Sequence, residues 1–365
     1  MPEFIGVTQT INDRNVALGG GIPSFGLRKQ LLHSYGDIIS ISNLLAAWQE
    51  FEVGKSKKYD VVLFADRLMD NILALYTDLV NRTYIHGGYR EFRINDPKPR
   101  LIHKASVRDR LLHHAVHRML YPFFDRIFIF DSFSCRTNKG VRAAINRFRK
   151  CAHKVGRNHT RTVWVLKCDI RKFFANIDHE ILLRILDYYI PDKRIVDLLE
   201  NIIVSFSMTS GTSVGLPLGN LTSQLFSNIY LDRLDRWVKH QLKEKHYIRY
   251  ADDFVFLSAD RNYLLSLIPQ VQHLLSCTLK LDLHPNKFFL KTIASGVDFL
   301  GWIHFSDHRV LRKVTKRRMT RKLAENFKPE VLQSYLGLLS HGNTFKLQET
   351  IKNQFWLGGT HMLMG

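Results

Sequence analysis

The sequence predicts an α+β fold, and three observations carry that prediction. Thr162 to Leu166 is an apolar, β-branched run of the kind that forms a buried strand. Tyr247 to Leu257 is a second apolar stretch that reads as strand, tight turn, strand around Ala251-Asp252-Asp253. Helical periods surround both, without the regular βαβ alternation of a doubly wound sheet. The 365 residues suffice for two or three structural units at roughly 150 residues each. A chain of this length buries a large core without disulfides or a structural metal.

The elements follow in order. Residues 1–40 read as an irregular extension, with Gly19-Gly20-Gly21, Pro23 and no sustained period. From Leu44 to about Asn81, Leu45, Trp48, Phe51, Leu63, Leu68, Ile72, Leu75 and Leu79 recur at helical spacing, with a short basic break at Lys55 to Lys58. Tyr89 to Ile94 alternates, Asp96-Pro97-Lys98-Pro99 is a turn, and Arg100 to His103 returns as a hairpin arm. A helix runs from Asp109 to about Phe124. Past the Thr162 strand, Asp178 and Asp192 each cap a helix. Gly215 to Gly219 is a loop that opens a helix from about Thr222 to Lys245. A helix from about Asn262, a β stretch to Phe305, a basic segment over 311–328 and a helical tail complete the chain.

The charge narrows the function. Lys+Arg 53 against Asp+Glu 33 leaves +20, with a pI of about 9.8, and the expected partner of so basic a protein is a polyanion, nucleic acid first. The composition excludes a disordered chain, a collagen and a membrane bundle. Cys135, Cys151, Cys168 and Cys277 form no C-x-x-C pair, which argues against a zinc ribbon and for a reducing compartment. The N-terminus does not read as a secretion leader, and no apolar run approaches the roughly 18 residues of a membrane span. The expectation is a soluble, cytoplasmic, nucleic-acid-associated protein.

The chemistry concentrates in three acids. Asp252 and Asp253 sit at the turn of an apolar hairpin, where one Asp would serve the turn and two repel each other. A divalent cation relieves that repulsion, and Mg²⁺ takes carboxylate oxygens together with substrate phosphates. Asp169 stands where a buried strand ends. Asp178 already fills the following cap position, so Asp169 is available for other work. A strand-end acid plus a hairpin acid pair is the set a two-metal phosphoryl-transfer site requires.

At these residues the sequence resembles reverse transcriptases. Tyr250-Ala251-Asp252-Asp253 resembles motif C, and Asp169 to Asp178, with Phe174 five residues after the first acid, resembles motif A. Gly215-Leu216-Pro217-Leu218-Gly219-Asn220-Leu221-Thr222-Ser223-Gln224 resembles motif B. Lys98-Pro99-Arg100 and Ser134-Cys135-Arg136 look like the fingers motifs, Pro285-Asn286-Lys287 like motif D, and Phe299-Leu300-Gly301-Trp302 like the primer-grip turn. The match covers about residues 90–310. Most reverse transcriptases have Gln at Leu218 and Pro at Gln224. The departures are similar to enzymes of diversity-generating retroelements, as are Arg312-Lys313, Ser334-Tyr335-Leu336-Gly337 and His341-Gly342-Asn343. A chain of 365 residues leaves no expected room for the maturase and endonuclease extensions of group II intron proteins. A defence-associated, retron-like or group II-like relative is the alternative.

The resemblance implies a right-hand polymerase fold: fingers over 41–161 with part of 180–214, a palm over 162–310 and a basic helical thumb over 311–365. It implies RNA-directed DNA synthesis, with two Mg²⁺ ions (Mn²⁺ as the alternative ion) at Asp169, Asp252, Asp253 and Ile170. Arg100, Arg136, Phe174, Leu218, Gly219 and Lys287 are the expected dNTP contacts, with Phe174 excluding a 2′-hydroxyl. Arg136 suits a triphosphate because a guanidinium grips phosphate bidentately. Arg312, Lys313, Lys316, Arg317, Arg318, Arg321 and Lys322 crowd like charges on adjacent turns, which a phosphate backbone relieves. The implied partners are template RNA, primer, dNTPs, a structured RNA and a small basic accessory protein, with no membrane. Two rivals stay open, an RNA-dependent RNA polymerase and a non-catalytic RNA-binding relative. His113 and His117 at i, i+4 read as structural for want of a third ligand, and Trp302 and Phe305 read as core.

Overall fold

The computed structural model describes residues 29–95, 99–209, 211–325 and 328–362, with the backbone alone from 355 onward. The expected extension over residues 1–28 and the turn residues Asp96, Pro97 and Lys98 lie outside the described residues.

The chain begins with four helices, α1 (Tyr35–Ile39), α2 (Ile41–Glu52), α3 (Tyr59–Ala65) and α4 (Leu68–Val80). Helix α1 falls inside the stretch expected to be irregular. Its five residues are too short to show a period, but Ser34 and Asp37 cap it reciprocally. Strands β1 (Tyr89–Ile94) and β2 (Arg100–Ala105) form the expected hairpin. Helix α5 (Val107–Asp125) starts at the Ser106 cap. Helix α6 (Gly140–Val155) has no counterpart in the sequence reading. Ala144, Ile145, Phe148, Cys151 and Ala152 make its buried stripe, a pattern masked by the cations between them.

Strand β3 (Trp164–Asp169) runs to the acid itself, further than the apolar run suggests. Helices α7 (His179–Tyr189) and α8 (Lys193–Val204) start at the Asp178 and Asp192 caps. Helix α9 (Leu221–Arg236) is shorter than its period. It ends in a wide turn over Trp237–Gln241, closed by Leu242 N–H on the Trp237 carbonyl. Next come β4 (Tyr247–Tyr250), β5 (Asp253–Ser258), α10 (Arg261–Leu279), β6 (Phe289–Thr292), β7 (Val297–Phe299), β8 (Trp302–His304) and β9 (Arg309–Leu311). The chain closes with α11 (Lys313–Glu325), α12 (Pro329–Leu339) and α13 (Phe345–Met362).

The central sheet is antiparallel with strand order β4-β5-β3-β6. Side chains alternate across it. Leu166, Cys168, Tyr247, Phe254 and Phe256 enter the core shared with α5, α7, α9 and α10. Val165, Ile248, Val255 and Leu257 enter a second core roofed by α6. By the same period of two, Lys167, Asp169 and Asp253 belong to this second face, beyond the end of that roof. A third cluster joins Ile145 and the buried Trp302 to Met319, Leu332 and Leu339. Among the described residues no helix is long and apolar enough to cross a membrane.

Candidate active site

The β3–β5 ladder sets the acids in register. Asp169, the last residue of β3, is directly opposite Asp253, the first of β5. Asp252 sits in the turn, which Ala251 enters at a left-handed φ of 54°. Its carbonyl accepts from Ile170 N–H at 3.3 Å. The chain after α10 wraps the same strand end. His284 N–H donates to the Asp169 carbonyl at 2.7 Å, and Arg171 N–H to the Asp282 carbonyl at 2.9 Å. That wrap brings Lys287 Nζ to 3.1 Å from Asp169 Oδ1. On the other side, Lys167 Nζ lies 3.3 Å from Asp253 Oδ1.

The electrostatics follow from this crowding. Burial, then Asp253, then Asp169 push the Asp252 carboxyl up to about 6. Asp253 is also raised by burial, with Lys167 opposing the rise and Asp169 adding to it. Among the described residues no three Asp, Glu, His or Cys side chains are arranged to hold a metal ion. Asp169 and Asp253 are turned to their lysines instead. The donor chemistry nevertheless fits a divalent ion. Three carboxylates at one strand end are hard oxygen donors, and their mutual repulsion is what such an ion removes.

A buried network holds the turn from below. Arg249, fully buried in β4, forks onto Asp235 of α9 with Nε–Oδ1 at 2.8 Å and Nη2–Oδ2 at 2.6 Å. Burial works against this charge, but Asp235 outweighs it and keeps the guanidinium protonated. The same guanidinium donates to Asn228 Oδ1, to Ser132 Oγ and, at 3.2 Å, to the Ala251 carbonyl inside the turn. Tyr247 O–H completes the Asp235 shell at 2.8 Å. Sequence reasoning missed this network and Lys167. The signal available was an Arg inside an otherwise apolar strand and a Lys two residues before Asp169.

The remaining residues gather around the loop before α9. Phe173 is core, whereas Phe174 is half-buried and its carbonyl accepts from Leu216 N–H at 2.8 Å. The Leu218 carbonyl accepts from His103 N–H at 3.0 Å, and Asn220 Nδ2 donates to the His103 carbonyl at 2.9 Å. These bonds pin the β1–β2 hairpin to the loop. Gly219 allows the approach: its φ is +105°, and a Cβ there would stand 2.7 Å from Ile102 Cγ2. Leu218 is half-buried at this junction, and Arg100 is exposed at the start of β2.

Arg136 departs from the expected triphosphate clamp. Its side chain is 5% exposed. Nε binds Asp125 Oδ1 at 2.6 Å, Nη1 the Ile129 and Ser132 carbonyls, and Nη2 the Asp125 carbonyl. All three nitrogens brace the loop after α5, which leaves none for phosphate. His113 meets His86 at 3.1 Å between Nε2 atoms, and His117 stacks on Tyr121. In α11, Thr315, Met319 and Leu323 face inward while Lys313, Lys316, Arg317 and Arg321 are exposed and Arg318 and Lys322 half-buried. Arg312 pairs with Asp298 at 3.0 Å and Arg321 with Glu325 at 3.6 Å.

The family model described as reverse transcriptase (RNA-dependent DNA polymerase) matches residues 94–304, more than half of the chain. Protein YkfC of Escherichia coli (strain K12) is 26% identical over 284 residues, covering 66% of this chain and 72% of that protein. The putative COX1/OXI3 intron 2 protein of Saccharomyces cerevisiae is 20% identical over 276 residues, 59% of this chain and 30% of its own length. The group II intron-encoded protein LtrA of Lactococcus lactis subsp. cremoris is 27% identical over 183 residues, 48% of this chain and 29% of its own. The chain thus spans less than a third of the two intron proteins. The chain belongs to the reverse transcriptase family, with a right-hand polymerase fold and the RNA-directed DNA polymerase activity that defines it.

Proposed function

We propose that Asp169, Asp252 and Asp253 are the catalytic centre for copying RNA into DNA, and that the enzyme is error-prone, of the diversity-generating type. The observation that carries the catalytic reading is the strand-end register, which sets Asp169 opposite Asp253 with Asp252 in the adjoining turn. Two divalent ions, Mg²⁺ or Mn²⁺, held by the three carboxylates and the Ile170 carbonyl, would supply charge stabilisation for primer-hydroxyl attack on the α-phosphate. In this reading α2 to α6 and the β1–β2 hairpin are the fingers, with α7 and α8 beside them. The central sheet with α9 and α10 is the palm, and α11 to α13 are the thumb.

The chain's own groups bind and orient. Lys287 is half exposed, so its ammonium can leave Asp169 for the triphosphate. Arg100, exposed at the start of β2, would bind the same anion in this reading, while Arg136 stays a brace. Gly219 keeps the hairpin against the loop that presents Leu218. The exposed cations of α11, with Arg312, Arg318 and Lys322, suit the template–primer backbone. Template RNA, primer, dNTPs, a structured RNA and a small basic accessory protein are the partners of this reading.

Phe174, half-buried and edge-to-face on Phe173 with ring centroids 5.3 Å apart, is the sugar gate of this reading. Phe174→Val is expected to raise rNTP incorporation relative to dNTP by about 10- to 100-fold, the range a single apolar contact discriminates. Single-nucleotide insertion with each triphosphate measures it. An unchanged ratio would assign Phe174 to the core.

Leu218 supports the error-prone reading, because leucine offers shape but no donor or acceptor where most relatives carry glutamine. An apolar contact discriminates by only about 1–3 kcal/mol. Wild type is expected to misincorporate opposite template adenine, and Leu218→Gln to reduce this. The measurement is the error spectrum of cDNA made by each. Faithful copying of adenine by wild type would favour the group II intron-like reading, which the similarity to LtrA supports.

A further inference from the structure

We infer that the outer face of α6 and the turn that follows it form a second RNA-binding surface, for the phosphate backbone of a folded, double-helical RNA. The inference rests on the RNA-directed reading above and adds a site to it. Residues 132–168 contain no Asp or Glu and ten Lys or Arg, half of the chain's net charge of +20. Five of the ten have partners inside the protein, Arg149 among them through its Nη2 on the Asp307 carbonyl at 3.4 Å. Arg136 binds Asp125, Arg147 binds Asp131, Lys167 binds Asp253, and Lys139 lies over the Phe130 ring and donates to its carbonyl. Arg149 and the other five, Arg142, Lys150, Lys154, Arg157 and Arg161, are exposed, and none has a carboxylate partner among the described residues.

Their placement is ordered. Arg142, Arg149, Lys150 and Lys154 follow the helical period on the side away from the Ala144, Phe148 and Cys151 stripe, and Arg157 stands in the turn just past the helix end. Sixteen residues of helix make a cationic ridge about 24 Å long. Its middle touches the β8–β9 hairpin, where Asn146 Oδ1 accepts from Arg309 Nη2 at 2.9 Å. Its C-terminal end reaches the turn before β3. Val163 there lies six strand residues from Asp169, or about 20 Å, so Arg157 and Arg161 in that turn are remote from the nucleotide site.

The chemistry selects the ligand. Six cations without internal counterions repel one another, and phosphates relieve that repulsion by displacing condensed counterions. No Phe, Tyr or Trp is exposed among residues 140–161, so the face lacks the stacking platform that single strands use. It equally lacks the aromatic and aliphatic wedge of a membrane-surface helix. Asn146, Asn158, His159 and Thr160 are exposed beside the cations and suit the 2′-hydroxyls of an RNA duplex.

The test compares the wild-type chain with an Arg149→Gln, Lys150→Gln, Lys154→Gln, Arg157→Gln variant. The probes are an RNA hairpin with a blocked 3′ end and a short RNA-template, DNA-primer substrate. The expected result is at least a tenfold loss of hairpin affinity at moderate salt. The slope of log affinity against log salt should fall by about 3 to 4, near 0.9 for each lost phosphate contact. Extension of the short substrate should stay within twofold, which also shows that the variant folds. An unchanged hairpin slope with normal extension would make α6 a solvated face and overturn the inference. Normal hairpin binding with weakened extension of long primer duplexes would also overturn it, because the ridge would then serve the product duplex. Absence of extension by the wild type would count against the polymerase reading, while the hairpin comparison would still decide the ridge.

Discussion

Asp252→Asn is expected to lower primer extension by about 10³-fold or more while leaving RNA binding within about twofold. The same variant should be more stable than wild type. A carboxyl whose folded value lies near 6, above its ordinary 3.8, costs the folded state free energy at pH above both values. That cost fades as pH falls through about 6 toward 3.8, so the gain from asparagine belongs to neutral pH and disappears in acid. After allowance for solvent screening it is on the order of 1–2 kcal/mol, or about 1 to 3 °C in Tm. Extension and thermal unfolding on one preparation measure both. Retention of more than a few per cent of the extension rate would remove Asp252 from the catalytic set. A lower Tm at pH 7.5 would contradict the crowding argument.

Arg249 carries the second large effect. Arg249→Met leaves Asp235 buried without its guanidinium, and breaking a buried pair from one side costs about 3–5 kcal/mol. Tm should fall by about 4 to 7 °C. Arg249→Met combined with Asp235→Leu removes both charges and should recover at least half of that loss. Extension should not recover with it, because the Ala251 carbonyl in the catalytic turn has lost its donor. Chemical denaturation and extension on the two variants separate the roles. Full recovery of activity in the double variant would make the pair purely structural.

The three acids proposed as catalytic stood out in the sequence because each announces a local conflict. Two adjacent Asp in an apolar hairpin, and an Asp ending a buried strand, make poor structural sense alone. Phe174 and Leu218 were legible through motif order, and the structure gathers them with the hairpin at one loop. Arg136 was not legible, because a guanidinium beside a turn reads alike whether it grips a phosphate or three main-chain carbonyls. Only the tertiary fold supplies Asp125 and the carbonyls of Ile129 and Ser132. Helix α6 was missed for a related reason. Its exposed cations interrupt the apolar stripe, so the window reads as basic rather than amphipathic. Lys167 and Lys287 as partners of the acids depend on strand register and on the wrap after α10, both long-range.

The most direct test of the central claim is extension of a DNA primer on an RNA template with Mg²⁺, supplied with dNTPs or with rNTPs. The account predicts full-length DNA from dNTPs, little product from rNTPs, and none from a chain carrying Asp169→Asn, Asp252→Asn and Asp253→Asn. Polymerisation of rNTPs in preference to dNTPs, or undiminished DNA synthesis by the triple variant, would contradict it.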